Sequence, residues 1–289
     1  MPSLKDIRKR ISSVKSTQKI TRAMKLVAAA KLRRAQENLL AARPYSNKLH
    51  EMISELATRA DADDHPLLAV REPRRVLMLV LSSDRGLCGA FNTNILRTLL
   101  QYREEHLSQV DQMDIAVVGR KGRDYLKFRN IPVDHYFPGL DVNTALDRSR
   151  EISAAIVDAY LKNNLDMVYL FYNEFKSAMS QRIIAEQLLP IKQLEISEDE
   201  GGNIDFIYEP SKVELLETIM PMYIDVEIYR AALESTASEF GARMTAMENA
   251  TTNAGEMISS LTLEYNKARQ AAITKELLDI VGGAEALSK

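Results

Sequence analysis

Two long stretches at opposite ends of the chain carry a seven-residue apolar rhythm, and they fit each other antiparallel in one register. Toward the C-terminus, Leu233, Ala237, Phe240, Met244, Met247, Thr251, Ala254, Ile258, Leu261, Tyr265, Ala268 and Ala272 alternate steps of four and three, and eleven of these twelve are apolar. No proline interrupts them. Toward the N-terminus the same spacing runs through Leu4, Ile7, Ile11, Val14, Gln18, Thr21, Lys25, Ala28, Leu32, Ala35, Leu39 and Ala42, and continues through Ser46, Leu49, Ile53 and Leu56. A 3.5-residue repeat of this length places a narrow apolar seam on a helix and favours left-handed supercoiling with a partner. The first and last segments are therefore expected to wrap together as a two-stranded coil.

The helix ends set the register. If the second helix starts just after Pro210 and the first ends near Leu56, antiparallel partners have numbers summing to about 267, and the heptads match at sums of 268 or 269. Leu4 then faces Tyr265, Ile7 faces Leu261, Ile11 faces Ile258 and Val14 faces Ala254. Ala28 faces Phe240, and Ala35 faces Leu233. Thr251, the one polar seam position of the C-terminal stretch, falls opposite Gln18. A polar layer costs stability and fixes register. Residues beyond about 266 are left without a partner helix and are expected to project alone.

Charge is unevenly divided. Residues 1–50 hold thirteen Lys or Arg against Asp6 and Glu37, so they carry +11 in a chain whose net charge is −2. The segment from Ser211 onward is net acidic. Opposite charges flanking the seam favour pairing modestly, because exposed ion pairs are weak. Three other readings of the basic N-terminus stay open: a mitochondrial transit peptide, a nucleic-acid-binding face, and a solvated helix face with no partner.

Between the helices the period changes. Pro66 and Pro73 bracket a loop, and residues 75–82 read as a buried strand. A helical stretch over about 92–106 follows, then an apolar run at 114–119, a basic helix over 121–129, and a third strand near 132–137. Residues 144–163 are amphipathic, 166–172 form a strand of apolar and aromatic residues, and 180–189 suit either a helix or a strand. Residues 195–203 read as a polar turn and 204–208 as a last short strand. Strands alternating with helices of this length imply a mostly parallel sheet covered on both faces. The expected fold class is therefore mixed: a long antiparallel coiled coil of the terminal helices with a central, doubly wound (Rossmann-like) α/β domain. The expected domains are 1–60, 70–209 and 210–286, with about the last twenty residues projecting alone.

This domain offers little chemistry. The turn after the first strand, Ser82-Ser-Asp-Arg-Gly-Leu-Cys-Gly-Ala90, has two glycines where doubly wound folds place a phosphate loop. It lacks both the G-x-G-x-x-G spacing and the lysine of a P-loop. Gly119-Arg-Lys-Gly122 is basic but too short to cradle a phosphate. His50, His65, His106 and His135 show no metal-ligand spacing. Cys88 is the only cysteine, so the chain forms no internal disulfide, in keeping with a reducing compartment. A nucleophilic Cys88 would need a base beside it. Asn249-Ala-Thr251 matches a glycosylation sequon but lies inside the predicted helix, and no apolar run reaches transmembrane length. No catalytic residue, cofactor or metal is expected.

Three segments resemble one family. They are Leu4-Lys-Asp-Ile-Arg-Lys-Arg-Ile11 through Thr17-Gln-Lys-Ile-Thr-Arg-Ala-Met-Lys25; Ser83-Asp-Arg-Gly-Leu-Cys-Gly89; and Tyr265-Asn-Lys-Ala-Arg-Gln-Ala-Ala-Ile-Thr274 with Glu276 and Ile280-Val-Gly-Gly283. Over essentially its whole length the chain resembles the γ subunits of bacterial F-type ATP synthases. The resemblance implies a non-catalytic rotor shaft in a proton-translocating synthase, with partners in the α and β subunits of the catalytic ring, the ε subunit and the membrane c-ring. It implies a peripheral location on the cytoplasmic side of the inner membrane, and no nucleic acid.

The same resemblance implies contacts. Arg269, Gln270 and Thr274 match residues that hydrogen-bond a catch loop of β, and Met24 matches a position near β at the level of the coil. Asp84, Arg85 and Cys88 match the turn facing an acidic loop of β. Tyr208 and Glu209 match foot residues near the membrane ring. The plain alternatives are a residue beside the seam for Met24, and a solvated helix face for Arg269 and Gln270. Two further function classes stay open: a coiled-coil scaffold, and an α/β enzyme or nucleic-acid binder with a basic helical arm.

Overall fold

The structure, a computed structural model, describes residues 3–59, 65–106, 110–162, 164–191 and 212–287. Its elements run α1 (Leu4–Arg59), β1 (Arg75–Leu81), α2 (Phe91–His106), β2 (Gln112–Val118), α3 (Arg120–Phe128), β3 (His135–Phe137), α4 (Ala145–Leu161), β4 (Met167–Phe175), β5 (Gln181–Leu189) and α5 (Lys212–Leu287). The polar turn and last strand expected over 195–208 lie outside the described residues. Contacts divide the chain into two compact units: Met1–Val27 with Met244–Lys289, and Ala28–Arg243. The division cuts across both long helices rather than falling at their ends.

In the first unit α1 begins on a reciprocal cap. The Ser3 hydroxyl donates to Asp6 Oδ2 at 2.7 Å, and the Asp6 amide donates back to Ser3 Oγ at 3.2 Å. Such a box satisfies amides that the first turn leaves without partners. The seam follows the heptads: Ile7, Thr21, Met247 and Ala254 are buried. Ile11, Val14, Gln18, Ile258, Leu261 and Tyr265 are half-buried. The helices pair antiparallel. Gln18 Nε2 donates to the Thr251 carbonyl at 3.4 Å, the Thr251 hydroxyl donates to Thr21 Oγ1 at 2.8 Å, and Lys25 Nζ meets Glu248 Oε1 at 2.6 Å. Arg8 donates to the Tyr265 hydroxyl at 2.8 Å. Pairs made through long side chains sum a few residues above the backbone register, because both side chains lean toward their own N-termini.

The second unit holds one five-stranded sheet in the order β3-β2-β1-β4-β5. The pairs β1–β2, β1–β4 and β2–β3 are parallel, with Val76 beside both Met113 and Met167. The stretch left open as helix or strand is β5, antiparallel to β4 through pairs such as Tyr172 with Ile184. Its direction follows from chain length. Residues 176–180 alone separate β4 from β5, and a parallel return needs a crossover of a dozen residues or more. One face of the sheet packs Val76, Met78, Val80 and Phe171 under Ile95, Leu96 and Leu99 of α2 and Leu126 of α3. The other packs Leu77, Leu79, Leu170 and Tyr172 against Ile152, Ile156 and Tyr160 of α4, Ile224 and Ile228 of α5, and Leu49 and Ile53 of α1. Burial on both faces explains the near-continuous apolar run of β1. Because β2 and β4 flank β1, the strand order reverses between β1 and β4, the point where doubly wound folds open a ligand crevice.

Candidate functional site

The turn that follows β1 is held from three directions. From α3, the Arg120 amide donates to Asp84 Oδ1 at 2.9 Å and the Lys121 amide to the Ser83 carbonyl at 2.9 Å. The Gly122 amide donates to Ser82 Oγ at 2.9 Å. These bonds satisfy first-turn amides of α3 that have no partner within the helix. Both glycines of the Gly119-Arg-Lys-Gly122 run are explained by this docking. A Cβ at Gly119, where φ is 93°, would sit 2.3 Å from the Ser82 carbonyl oxygen, and one at Gly122 would sit 2.5 Å from Ser82 Oγ. A Cβ at Gly139 would fall 2.5 Å from the Asp84 carboxyl carbon. From α2, Asn92 Oδ1 accepts the Ser83 amide at 2.9 Å, and its Nδ2 donates to Cys88 Sγ at 3.3 Å. From α5, Arg243 Nη2 donates to the Arg85 carbonyl at 3.0 Å, while its Nη1 binds Glu239 Oε1 at 2.6 Å.

The crevice at the strand-order reversal is occupied by α5. The Phe175 amide at the end of β4 donates to Glu234 Oε2 at 2.7 Å, and the Ser238 hydroxyl donates to the Asn173 carbonyl at 2.9 Å. The backbone at the end of β4, which holds a ligand in other folds of this kind, is thus engaged by α5, and that just after β1 by α2 and α3. This gives the missing phosphate loop a structural reason. Among the described residues, no group of three or more His, Cys, Asp or Glu is placed to hold a metal ion. None of the described helices is long and apolar enough to cross a membrane.

The expected contact residues fall into distinct settings. Arg85 is exposed on the turn. Asp84 is half-buried, and its carboxylate is engaged with α3. Cys88, on the same turn, is only 2% exposed. Its Sγ lies within the turn among Ser83, Arg85 and Asn92, because a small weakly polar thiol packs there and pins the loop. Burial pushes the Cys88 thiol above its ordinary pKa, with the nearby Arg243 opposing. The native thiol is therefore expected to stay protonated and unreactive toward a water-soluble disulfide reagent at neutral pH, and to react fully once the chain is denatured. Arg243→Ala should speed native labelling about tenfold by loosening the turn, since losing one charge-assisted bond changes a local opening equilibrium by that order. Equal labelling rates would show that Arg243 does not hold the turn.

Arg269, Gln270 and Thr274 are exposed on α5, and Met24 is half-buried beside the seam. Gln18 and Thr251 are bonded to each other. Tyr208 and Glu209 lie outside the described residues. Sequence reasoning missed Ser82, Asn92, Glu234, Ser238 and Arg243 as builders of the turn and crevice. Arg243 carried a faint signal, a lone cation beside seam residues Phe240 and Met244, whereas the others carried none.

A family model described as ATP synthase matches residues 3–287. An ATP synthase gamma chain from Anaeromyxobacter sp. (strain Fw109-5) is 51% identical over 99% of this chain and 100% of its own length. This chain belongs to the ATP synthase γ-chain family. A second γ chain, from Sorangium cellulosum, is 47% identical, with both chains covered completely. Among solved structures, a chain of the Euglena gracilis mitochondrial ATP synthase OSCP/F1/c-ring assembly matches 98% of this γ chain and 94% of its own length, with a TM-score of 0.70 at 25% identity. A chain of the Tetrahymena thermophila mitochondrial synthase central stalk and c-ring matches 80% of this one and 99% of its own, with a TM-score of 0.58 at 27% identity. As a γ chain the protein is a non-catalytic, central-stalk rotor subunit of a membrane-associated rotary ATP synthase. The filled crevice agrees with that role.

Proposed function

We propose that this γ chain transmits rotation of a proton-driven membrane c-ring to the catalytic sites on the β subunits of an α/β ring, with the ε subunit beside it, on the cytoplasmic face of the inner membrane. The observation that carries this reading is the contrast between a ligand crevice filled by α5 and family-matching polar side chains left bare. Arg85, Arg269, Gln270 and Thr274 all face solvent. In the proposed mechanism Arg269, Gln270 and Thr274 hydrogen-bond one β subunit at some rotor angles, and Asp84, Arg85 and the turn they stand on meet another β surface. Cys88 acts by holding that turn. Met24 lies near β at the coil, and Tyr208 and Glu209 serve the foot. Driving one β site from strongly disfavoured to strongly favoured takes about 5.5 kcal/mol of differential contact. A few charge-assisted hydrogen bonds supply that order of energy. The exposed apolar side chains Leu277, Ile280 and Val281 suit rotation in an apolar sleeve, since apolar contact is non-directional.

The purified chain is expected to show no ATPase activity and no saturable ATP binding, and to restore rotary hydrolysis when reconstituted with α and β subunits. Stoichiometric nucleotide binding by the chain alone would overturn this reading. Met24→Lys places a cation on a half-packed surface and is expected to impair proton pumping more than hydrolysis. The two rates, measured side by side on membranes, test that expectation.

A further inference from the structure

The turn between β1 and α2 spends backbone strain to hold one apolar side chain outward. Leu87 sits at φ 63°, a left-handed conformation that a bulky residue rarely adopts. Its side chain gains no burial in return, being 62% exposed. Gly89, two residues on, takes the same left-handed conformation at φ 58° without strain, whereas at position 87 a leucine stands where glycine would be the unstrained choice. The turn is nevertheless firmly held. Ser83 Oγ donates to the Arg85 carbonyl at 2.8 Å, Arg243 donates to the carbonyls of Arg85 and Gly86 at 3.0 and 3.3 Å, and Cys88 is buried behind Leu87. Strain of this kind persists only where the surroundings over-determine it, and it concentrates at functional sites. Cations stand on and beside the turn. Arg85, Arg120 and Lys121 are all exposed, and the Lys121 side chain lies against Gly86, 3.6 Å from where a Cβ would stand. The carboxylates nearest the turn are both engaged, Asp84 by the Arg120 amide and Glu239 by Arg243.

We infer that Leu87 is an apolar anchor that inserts into a notch on the catalytic ring, a notch with an apolar floor and a rim of carboxylates matching Arg85 and Lys121. The inference rests on the proposed contact of this turn with an acidic surface of β, and adds to it the residue that carries the contact and the apolar floor that receives it. The strained backbone presents the side chain pre-set for insertion, so little ordering is needed when the rotor reaches the matching angle. The cations steer and orient the approach, and the apolar side chain supplies the grip.

Four variants test this in the reconstituted complex. Leu87→Gly and Leu87→Asn both accept the left-handed backbone, so the full chain should unfold at the same temperature or about 2 °C higher. ATP turnover of the complex should nevertheless fall about tenfold, the scale of withholding one buried Leu side chain. Leu87→Met, which keeps apolar reach, should retain turnover. Higher stability combined with lower activity is a pattern that a merely structural Leu cannot produce. Wild-type turnover in the Gly and Asn variants overturns the inference, as does a lowered unfolding temperature, which would mean that Leu87 packs within its own chain. Arg85→Ala separates the two levels. If it lowers turnover while the Leu87 variants do not, the contact of the turn survives and the anchor fails. If neither lowers turnover, both fail.

Discussion

Replacing Arg269 and Gln270 together with Ala is expected to lower ATP turnover of the assembled synthase about tenfold while leaving assembly intact. Both side chains are exposed on α5, whereas their neighbours Ala268 and Ala272 continue the half-buried seam. Ala is also the strongest helix former, so the double substitution leaves α5 at least as helical as before. What is lost is a pair of polar groups able to bond a β subunit. Hydrogen bonds to a charged group contribute roughly 1.5–3 kcal/mol each, and 1.4 kcal/mol lost from the contact that drives a conformational step slows it about tenfold. Only contacts that differ between β states matter, since equal contact with every state would shift nothing. Co-purification of the subunits with steady-state hydrolysis is the measurement. Unchanged turnover would return both residues to a solvated helix face.

The coil register yields an all-or-none result. In a background carrying Cys88→Ala, cysteines introduced at positions 11 and 258 should close a disulfide under mild oxidation, and cysteines at 11 and 265 should not. Disulfides require Cα atoms within about 7 Å, and a slip of one heptad displaces a partner by roughly 10 Å along the helix. The bond from Gln18 to the Thr251 carbonyl and the Thr21–Thr251 hydroxyl pair lie near the register that puts Ile11 opposite Ile258. In the slipped register Thr251 would face Lys25 instead, and Lys25 is already paired with Glu248. Gel mobility under non-reducing conditions reads the outcome directly. Closure of the 11–265 pair in place of 11–258 would assign the register to the slipped form.

The same polar layer shows how far sequence reasoning reaches. Gln18 and Thr251 were legible because a heptad has one face, and a polar residue on that face needs a partner at the same level. Ser3 and Asp6 at the start of α1 were legible in principle, as a box of two polar residues three apart. The turn at 82–90 was legible as a turn and as a family motif, yet its construction was not. Ser82, Asp84 and Ser83 cap a helix that begins at Arg120, and Arg243 closes the same turn from α5. These partners lie dozens of residues apart in the chain, and no periodicity links them. The burial of Cys88 comes instead from near neighbours, Ser83 and Asn92, and follows from how the turn folds back on itself, which no periodicity encodes.

The sequence by itself therefore determined what is periodic or local. It set the two helical seams and their antiparallel match, the strand runs and their burial on both faces, and the lack of a phosphate loop or metal spacing. Such features depend on side-chain intervals of 3.5 and 2 residues, which can be counted along the chain. Tertiary structure alone decided that the stretch left open as helix or strand pairs with β4, that Glu234 and Ser238 fill the crevice beside β4, and that Leu87 is held outward in a left-handed conformation. Each of these depends on which distant backbone amides and carbonyls are left without partners once the sheet has formed. Buried polar groups must be satisfied by whatever lies within reach in space, and distance along the chain does not predict what that will be.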